Sequence, residues 1–176
     1  MKNQRFVALA IGIGVVAGLR PMIALAAMAW AVKRGRIRIE PSPFVWVLSA
    51  AVSKRIAQLA ISELIIDKLP FTPSRLRPKP LTLRIVTGTI CGAAVNGTAK
   101  RSIADGAILG GVGGLAGALM GYQIRKRLSR DLPDFAVALL EDAVAVGGGA
   151  LVVTLAGLIE WQRQPEIPSP AMAPSI

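Results

Sequence analysis

Long apolar stretches alternate along this chain with short stretches that are charged or rich in proline. Apolar stretches long enough for helices occupy residues 6–32, 44–69, 81–99, 104–124 and 134–159. The connecting residues 33–43 and 70–80 combine Lys and Arg with Pro, a composition typical of loops. The pattern predicts an all-α fold with a single helical domain over residues 1–161. The Pro- and Ser-rich residues 162–176 are expected to be a disordered tail.

The first apolar stretch contains a predicted break. Pro21 has no N–H to donate, and its ring disfavours helical geometry at Arg20. A straight helix over residues 6–32 would also exceed the ~30 Å of hydrocarbon in a bilayer. The segment is therefore either one kinked, tilted helix or two half-helices that meet at residues 18–21.

The stretch 104–124 is unusually rich in glycine. In water each glycine would weaken a helix by roughly 1 kcal/mol relative to alanine. In lipid the backbone must satisfy its own hydrogen bonds, and small residues allow helices to pack closely. We therefore predict a central membrane helix against which the other helices pack. Glycines spaced four residues apart give it two adjacent grooves, formed by Gly106, Gly110 and Gly114 on one face and by Gly113, Gly117 and Gly121 on the next.

The composition supports a membrane protein. Of the 176 residues 53% are hydrophobic and only 18% are charged, which is unusually apolar for a soluble domain. The net charge of +11 comes from short basic clusters between apolar stretches, as expected beside a membrane, so a nucleic-acid partner is not expected. With no histidine and one cysteine, the chain has no ligand set for zinc or iron, and no cofactor is expected.

Ionisable residues inside the apolar stretches mark the candidate site. Arg20 lies at the predicted break, Glu63 and Asp67 near the end of one helix, and Glu141 and Asp142 inside the last. A lone charge in hydrocarbon is costly, so such residues pair, face the bundle interior or line water. Arg20 could pair with Glu141 or Asp142, which would connect the first and last helices. Alternatively, Arg20 and free N–H groups at the break could receive an anion, or the carboxylates could bind a hard cation or relay protons.

Topology is less well determined by the sequence. Basic residues are slightly more numerous on the N-terminal side, which favours a cytoplasmic N-terminus, although dual topology remains open. Residues 6–69 and 81–159 also share a plan of two short apolar pieces and one longer acidic helix. That plan is consistent with an inverted repeat.

Three segments resemble an uncharacterised family of small bacterial integral-membrane proteins, known only as a domain of unknown function. They are the AGLRP segment at residues 17–21, the E-x3-DK-x-P-x-TPSR segment at residues 63–75 and the Glu141-Asp142 pair. The resemblance implies a polytopic bacterial inner-membrane protein and no particular activity. The resemblance also suggests one shared polar site, formed by the motif residues Arg20, Glu63, Asp67, Lys68, Pro70, Thr72, Arg75, Glu141 and Asp142.

We expect five or six helical membrane segments and a role in binding or passing a small ion or a polar lipid head group. The expected site residues are Arg20, Glu63, Asp67, Arg75, Glu141 and Asp142. The partners are expected to be membrane lipid and either further copies of the chain or a larger membrane complex. The alternative is a non-catalytic accessory subunit that packs through its glycine grooves. An enzyme is not expected, because no nucleophile has a base beside it.

Overall fold

The computed structural model describes residues 2–37, 50–66, 78–98 and 100–161. Within these residues the fold is all-α, as predicted, with α1 Lys2–Leu19, α2 Pro21–Lys33, α3 Ala50–Ile66, α4 Pro78–Thr98, α5 Ile103–Leu128 and α6 Asp134–Trp161. The predicted start of the third helix near residue 44, its predicted end with Asp67, the predicted loop residues 70–77 with Arg75, and the predicted tail 162–176 lie outside the described residues.

The first apolar stretch forms two helices rather than one kinked helix. Arg20 alone separates α1 from α2, and its backbone is extended, with φ −142° and ψ 92°. The Arg20 N–H still donates to the Val16 carbonyl at 2.7 Å, and the Arg20 carbonyl accepts from the Ala24 N–H at 3.2 Å. The residue at the break therefore keeps its own backbone hydrogen bonds. Pro21 begins α2, a position where its missing N–H costs nothing.

Helices α4 and α5 form an antiparallel hairpin with very close backbones. Lys100 turns the chain with a positive φ of 52°. Ser102 caps α5, since its side chain accepts from the Asp105 N–H at 3.2 Å. A Cβ added at Gly110 would overlap the Gly88 carbonyl oxygen, so this approach requires glycine. Such contact between backbones is the geometry that small residues permit in membrane helices.

The two glycine faces of α5 contact two different helices. A side chain at Gly106 or Gly110 would meet α4, at Gly92 and Gly88 respectively. A side chain at Gly113 would meet the Ile11 carbonyl of α1. The complete sets are Gly106, Gly110 and Gly114 toward α4, and Gly113 and Gly117 toward α1; Gly121 is also buried. The chain's own helices therefore fill the first groove and the second as far as Gly117.

The prediction that all the other helices pack around α5 is wrong for α2, α3 and α6. Helix α5 contacts α1 and α4 extensively but hardly touches α6, and its third face exposes large apolar side chains at Ile108, Val112, Leu115 and Leu119. The more interior helix is α1, which packs against α2, α4, α5 and α6. Two glycine grooves leave room for two neighbours, and the branched residues between them cover the remaining face.

The two halves of the chain are arranged differently. Helices α4 and α5 pack along their lengths, whereas α1 and α2 contact each other only sparsely on either side of the break. The similar plan of the halves therefore does not extend to the way in which their helices pair. The cause is local, because the first half has a proline at its junction and the second half has facing glycines.

Two of the described helices, Ile103–Leu128 and Asp134–Ile159, are long and apolar enough to cross a membrane, with mean hydropathies of 1.5 and 1.9. Helices α1 and α2 are apolar but shorter. Five or six membrane segments thus remain a prediction. Polarity is also distributed unusually: Arg20 and Arg84 are buried, while many large apolar side chains of α5 and α6 are exposed.

The glycine contact can be tested with Gly110→Ala. The new methyl group would overlap the Gly88 carbonyl, so we expect a loss of about 1–3 kcal/mol in the free energy of unfolding. Gly147→Ala is the matched control, because a Cβ there meets nothing within 4 Å. Thermal unfolding in detergent measures both. Equal melting temperatures for the two variants would contradict the close packing.

Candidate functional site

A polar cluster surrounds the break between α1 and α2. Among the described residues it consists of Arg20 at the break, Glu63 from α3, Arg84 from α4 and Asp142 from α6. We call these side chains, together with the backbone of residues 18–22, the junction. Arg20 and Arg84 are 0% and 5% exposed, so their charges lie inside the bundle. The junction therefore joins every element except α5 through polar contacts.

Glu63 caps the start of α2. Its Oε2 atom accepts a hydrogen bond from the Met22 N–H at 3.0 Å. The first N–H groups of a helix have no partner within the helix and carry partial positive charge, which a carboxylate satisfies. Ile56 and Ala60 are buried on α3, and Glu63 continues the same face one turn later. This register directs the carboxylate to the break.

Arg84 performs the complementary role at the end of α1. Its Nη1 atom donates to the Leu19 carbonyl at 2.5 Å and also to the Gly18 carbonyl. The last carbonyls of a helix have no partner within the helix and carry partial negative charge. Arg84 lies on the i, i+4 face of α4 that continues through Gly88, Gly92 and Asn96, and this whole face is buried.

Arg20 forms an ion pair with Asp142. The distance from Arg20 Nη2 to Asp142 Oδ1 is 2.5 Å, and the Asp142 side chain is 13% exposed. Asp142 belongs to the face of α6 that packs on the bundle. The other buried members of that face, spaced alternately three and four residues apart, are Ala138, Ala145, Gly149, Val152 and Ala156. The last helix is thus joined to the first break by a buried charge pair.

Glu141 lies outside the junction, although it precedes Asp142. Its Oε2 atom is 3.9 Å from Nη1 of Arg125 on α5, and the Arg125 side chain is 28% exposed. One residue rotates a helix by about 100°, so neighbouring acids necessarily face different partners. Of the two carboxylates considered as partners for Arg20, the structure therefore selects Asp142.

The structure brings some of the six expected site residues together at the break and not others. Arg20, Glu63 and Asp142 come together at the break, Glu141 lies beside it, and Asp67 and Arg75 are outside the described residues. Arg84 was not predicted from the sequence as a site residue. The signal was available, since Arg84 lies one turn before Gly88 and two turns before Gly92.

The junction is balanced in charge, with the guanidinium groups of Arg20 and Arg84 beside the carboxylates of Glu63 and Asp142. The expected anion position at the free N–H groups is taken by Glu63 itself. In the described part of the chain, no group of three or more carboxylate or cysteine side chains could hold a metal ion. Chemically, the junction can bind a ligand in place of one of its ion-pair partners, or can take up a proton on a carboxylate.

These observations define an all-α protein with apolar outer faces and a charge-paired junction in a broken first helix. The chain belongs to the family described as Domain of unknown function (DUF4126), whose sequence profile matches residues 7–159. The match includes every residue of the junction and confirms the resemblance seen in the three motifs. No curated protein and no solved structure matches the chain.

A double-mutant cycle on Arg20 and Asp142 tests the buried pair. Removing one partner leaves an uncompensated buried charge, so Arg20→Met and Asp142→Leu should each cost about 3–5 kcal/mol. The double variant should recover much of that loss. The same cycle on Arg125 and Glu141 is the control, and we expect coupling below about 1 kcal/mol there, because that pair is longer and partly exposed. Additive effects at Arg20 and Asp142 would contradict the ion pair.

Proposed function

We propose that the chain is an integral membrane protein whose polar junction lies within the bilayer. The distribution of polarity supports this location. Large apolar residues such as Ile108, Val112 and Val144 are 58–65% exposed, whereas Arg20 is fully buried. In water such a surface would favour aggregation, whereas in a membrane the exposed apolar side chains are expected to face the lipid. The family resemblance supports a bacterial inner membrane, and the basic residues favour a cytoplasmic N-terminus.

In this proposal α1 and α2 lie side by side in the bilayer, because Gly149 of α6 faces both Val16 of α1 and Ala27 of α2. Alone, α2 reaches only about 20 Å at 1.5 Å per residue, which is shorter than the ~30 Å hydrocarbon core. The break is buried among α3, α4 and α6, where water cannot satisfy its backbone groups. Glu63 and Arg84 form the hydrogen bonds to these groups instead. Broken helices whose ends face polar groups are characteristic of transporter binding sites.

The proposed function is to bind or pass a small ion or a polar lipid head group at the junction. The observation that carries the proposal is the concentration of ionisable side chains at a buried helix break. Apolar residues of similar volume would often hold helices together equally well, so a buried charge cluster needs another reason to exist. An anion would take the place of a carboxylate beside Arg20. A proton on Asp142 would neutralise it and release the guanidinium.

The alternative of an accessory subunit has no observation in its favour. It depended on glycine grooves that could receive another protein, and those of α5 are filled by α4 and α1 except at Gly121, which lines an open groove. Association into homo-oligomers or with a larger complex remains a prediction.

A flux assay in proteoliposomes tests passage through the junction. Vesicles with a pH-sensitive or a chloride-sensitive dye would receive gradients of H⁺, Na⁺ or chloride. We expect wild-type protein to accelerate the decay of one gradient, and Arg20→Gln/Asp142→Asn to abolish that acceleration while preserving shape and charge balance. Glu141→Gln is the matched control and should retain flux, because Glu141 lies outside the junction.

Two results would count against passage. If the double variant conducts like wild type, the Arg20–Asp142 pair serves only to hold the helices together. If wild-type vesicles relax none of the gradients while the protein is inserted and folded, passage of these ions is wrong.

A further inference from the structure

Helices α5 and α6 leave a groove between them. They are joined by a short turn yet make few contacts. The groove has a volume of about 280 Å³ and lies between the C-terminal end of α5 and the first half of α6. It is lined by Leu19, Gly121, Ile124, Arg125, Leu128, Val137, Leu140, Glu141 and Val144. Since Leu19 precedes Arg20, the inner end of the groove lies next to the junction.

The walls of the groove are apolar except at one ion pair. Arg125 and Glu141 lie on opposite walls, 3.9 Å apart, and contribute the only ionisable groups of its lining. Its size is at the lower end of the ~300–1,000 Å³ typical of ligand pockets. Gly121 contributes no side chain, which leaves width between the helices. An occupant must therefore be slender and apolar along most of its length.

Positive charge is concentrated at the same end of the bundle. Arg125, Lys126 and Arg127 form the last turn of α5, and Arg130 follows in the turn. The nearby acids are Glu141, Asp131 and Asp134, and Asp134 already accepts from the Ser129 hydroxyl at 2.8 Å. Basic clusters at the membrane surface attract anionic lipid, by about fivefold in affinity for each Lys or Arg. The end of the groove thus complements a phosphate.

We propose that this groove binds one acyl chain of an anionic phospholipid, with the lipid phosphate at Arg125. The phosphate would compete with Glu141 for the guanidinium, which the long separation of that pair makes easy. This site adjoins the junction at Leu19 but uses none of the junction's ionisable side chains. It rests on the proposed membrane location but not on the passage of any ion.

The test uses purified full-length protein in mild detergent with equal amounts of dioleoyl phosphatidylglycerol and dioleoyl phosphatidylcholine. Native mass spectrometry counts the lipid molecules that remain bound. We expect wild type to retain one phosphatidylglycerol, preferred about fivefold over phosphatidylcholine. Arg125→Gln should remove the preference. Glu141→Gln should increase it, because it frees Arg125 from its competitor.

The groove itself is tested with Val144→Trp. Val144 lines the groove but is 61% exposed, so the indole can enter the space without displacing the core. We expect it to lose retention of both lipids. Val146→Trp is the matched control, since Val146 is 51% exposed on the same helix but does not line the groove. Lys79→Gln is the control for the loss of one positive charge. Lys79 lies at the start of α4, at the same end of the hairpin as Arg125.

Several outcomes would overturn this site. Unchanged preference in Arg125→Gln, or unchanged retention in Val144→Trp, would place the bound lipid elsewhere. A dimer that Val144→Trp dissociates would mean that a second copy of the chain occupies the groove. Loss of lipid in these variants with flux intact would support the groove independently of the junction, whereas loss of flux in Arg20→Gln/Asp142→Asn with lipid retained would concern the junction alone.

Discussion

A helix broken inside an apolar bundle must have its free backbone groups satisfied, and the structure depends on this requirement. At the break, the last carbonyls of α1 have no following helical turn to accept from. The first N–H groups of α2 have no preceding turn to donate to. Arg84 supplies donors to the first set and Glu63 an acceptor to the second. Arg20, which is carried into the interior by the break itself, requires Asp142 as its counter-charge. One break thus determines where α3, α4 and α6 lie.

Close glycine packing allows these polar contacts to form. Arg84 can reach the end of α1 only if α4, α5 and α1 approach until their backbones touch. Gly18 packs against the Gly114 carbonyl, and Gly114 packs in turn against the Arg84 carbonyl. A larger side chain at either glycine would separate the helices that meet at the junction. The glycine faces and the junction are therefore parts of the same arrangement. Because glycines and charged residues occupy the interior, many large apolar side chains lie on the outer faces.

Much of this fold can be predicted from the sequence, because its signals are local. Pro21 predicted the position of the break to within one residue, and the glycine spacing indicated two packed faces on α5. The choice between Glu141 and Asp142 could not be made from spacing, because each lies three or four residues from both Ala138 and Ala145. Arg84 was missed because a basic residue near a helix end usually marks an interface. The weak contact between α5 and α6 could not be predicted, as it depends on which helices fill the glycine grooves.

Arg20 and Asp142 form a charge pair at the broken helix, and we propose that this pair lies in a lipid bilayer. The most direct test is solid-state NMR in bilayers, with ¹⁵N in the arginine guanidinium groups and ¹³C in the aspartate carboxyl carbons. A dipolar coupling between the Arg20 guanidinium and the Asp142 carboxyl carbon, absent in Asp142→Asn and unaffected by D₂O exchange, is the predicted result. An Arg20 guanidinium without such a coupling, and with rapid exchange into solvent, would contradict the account.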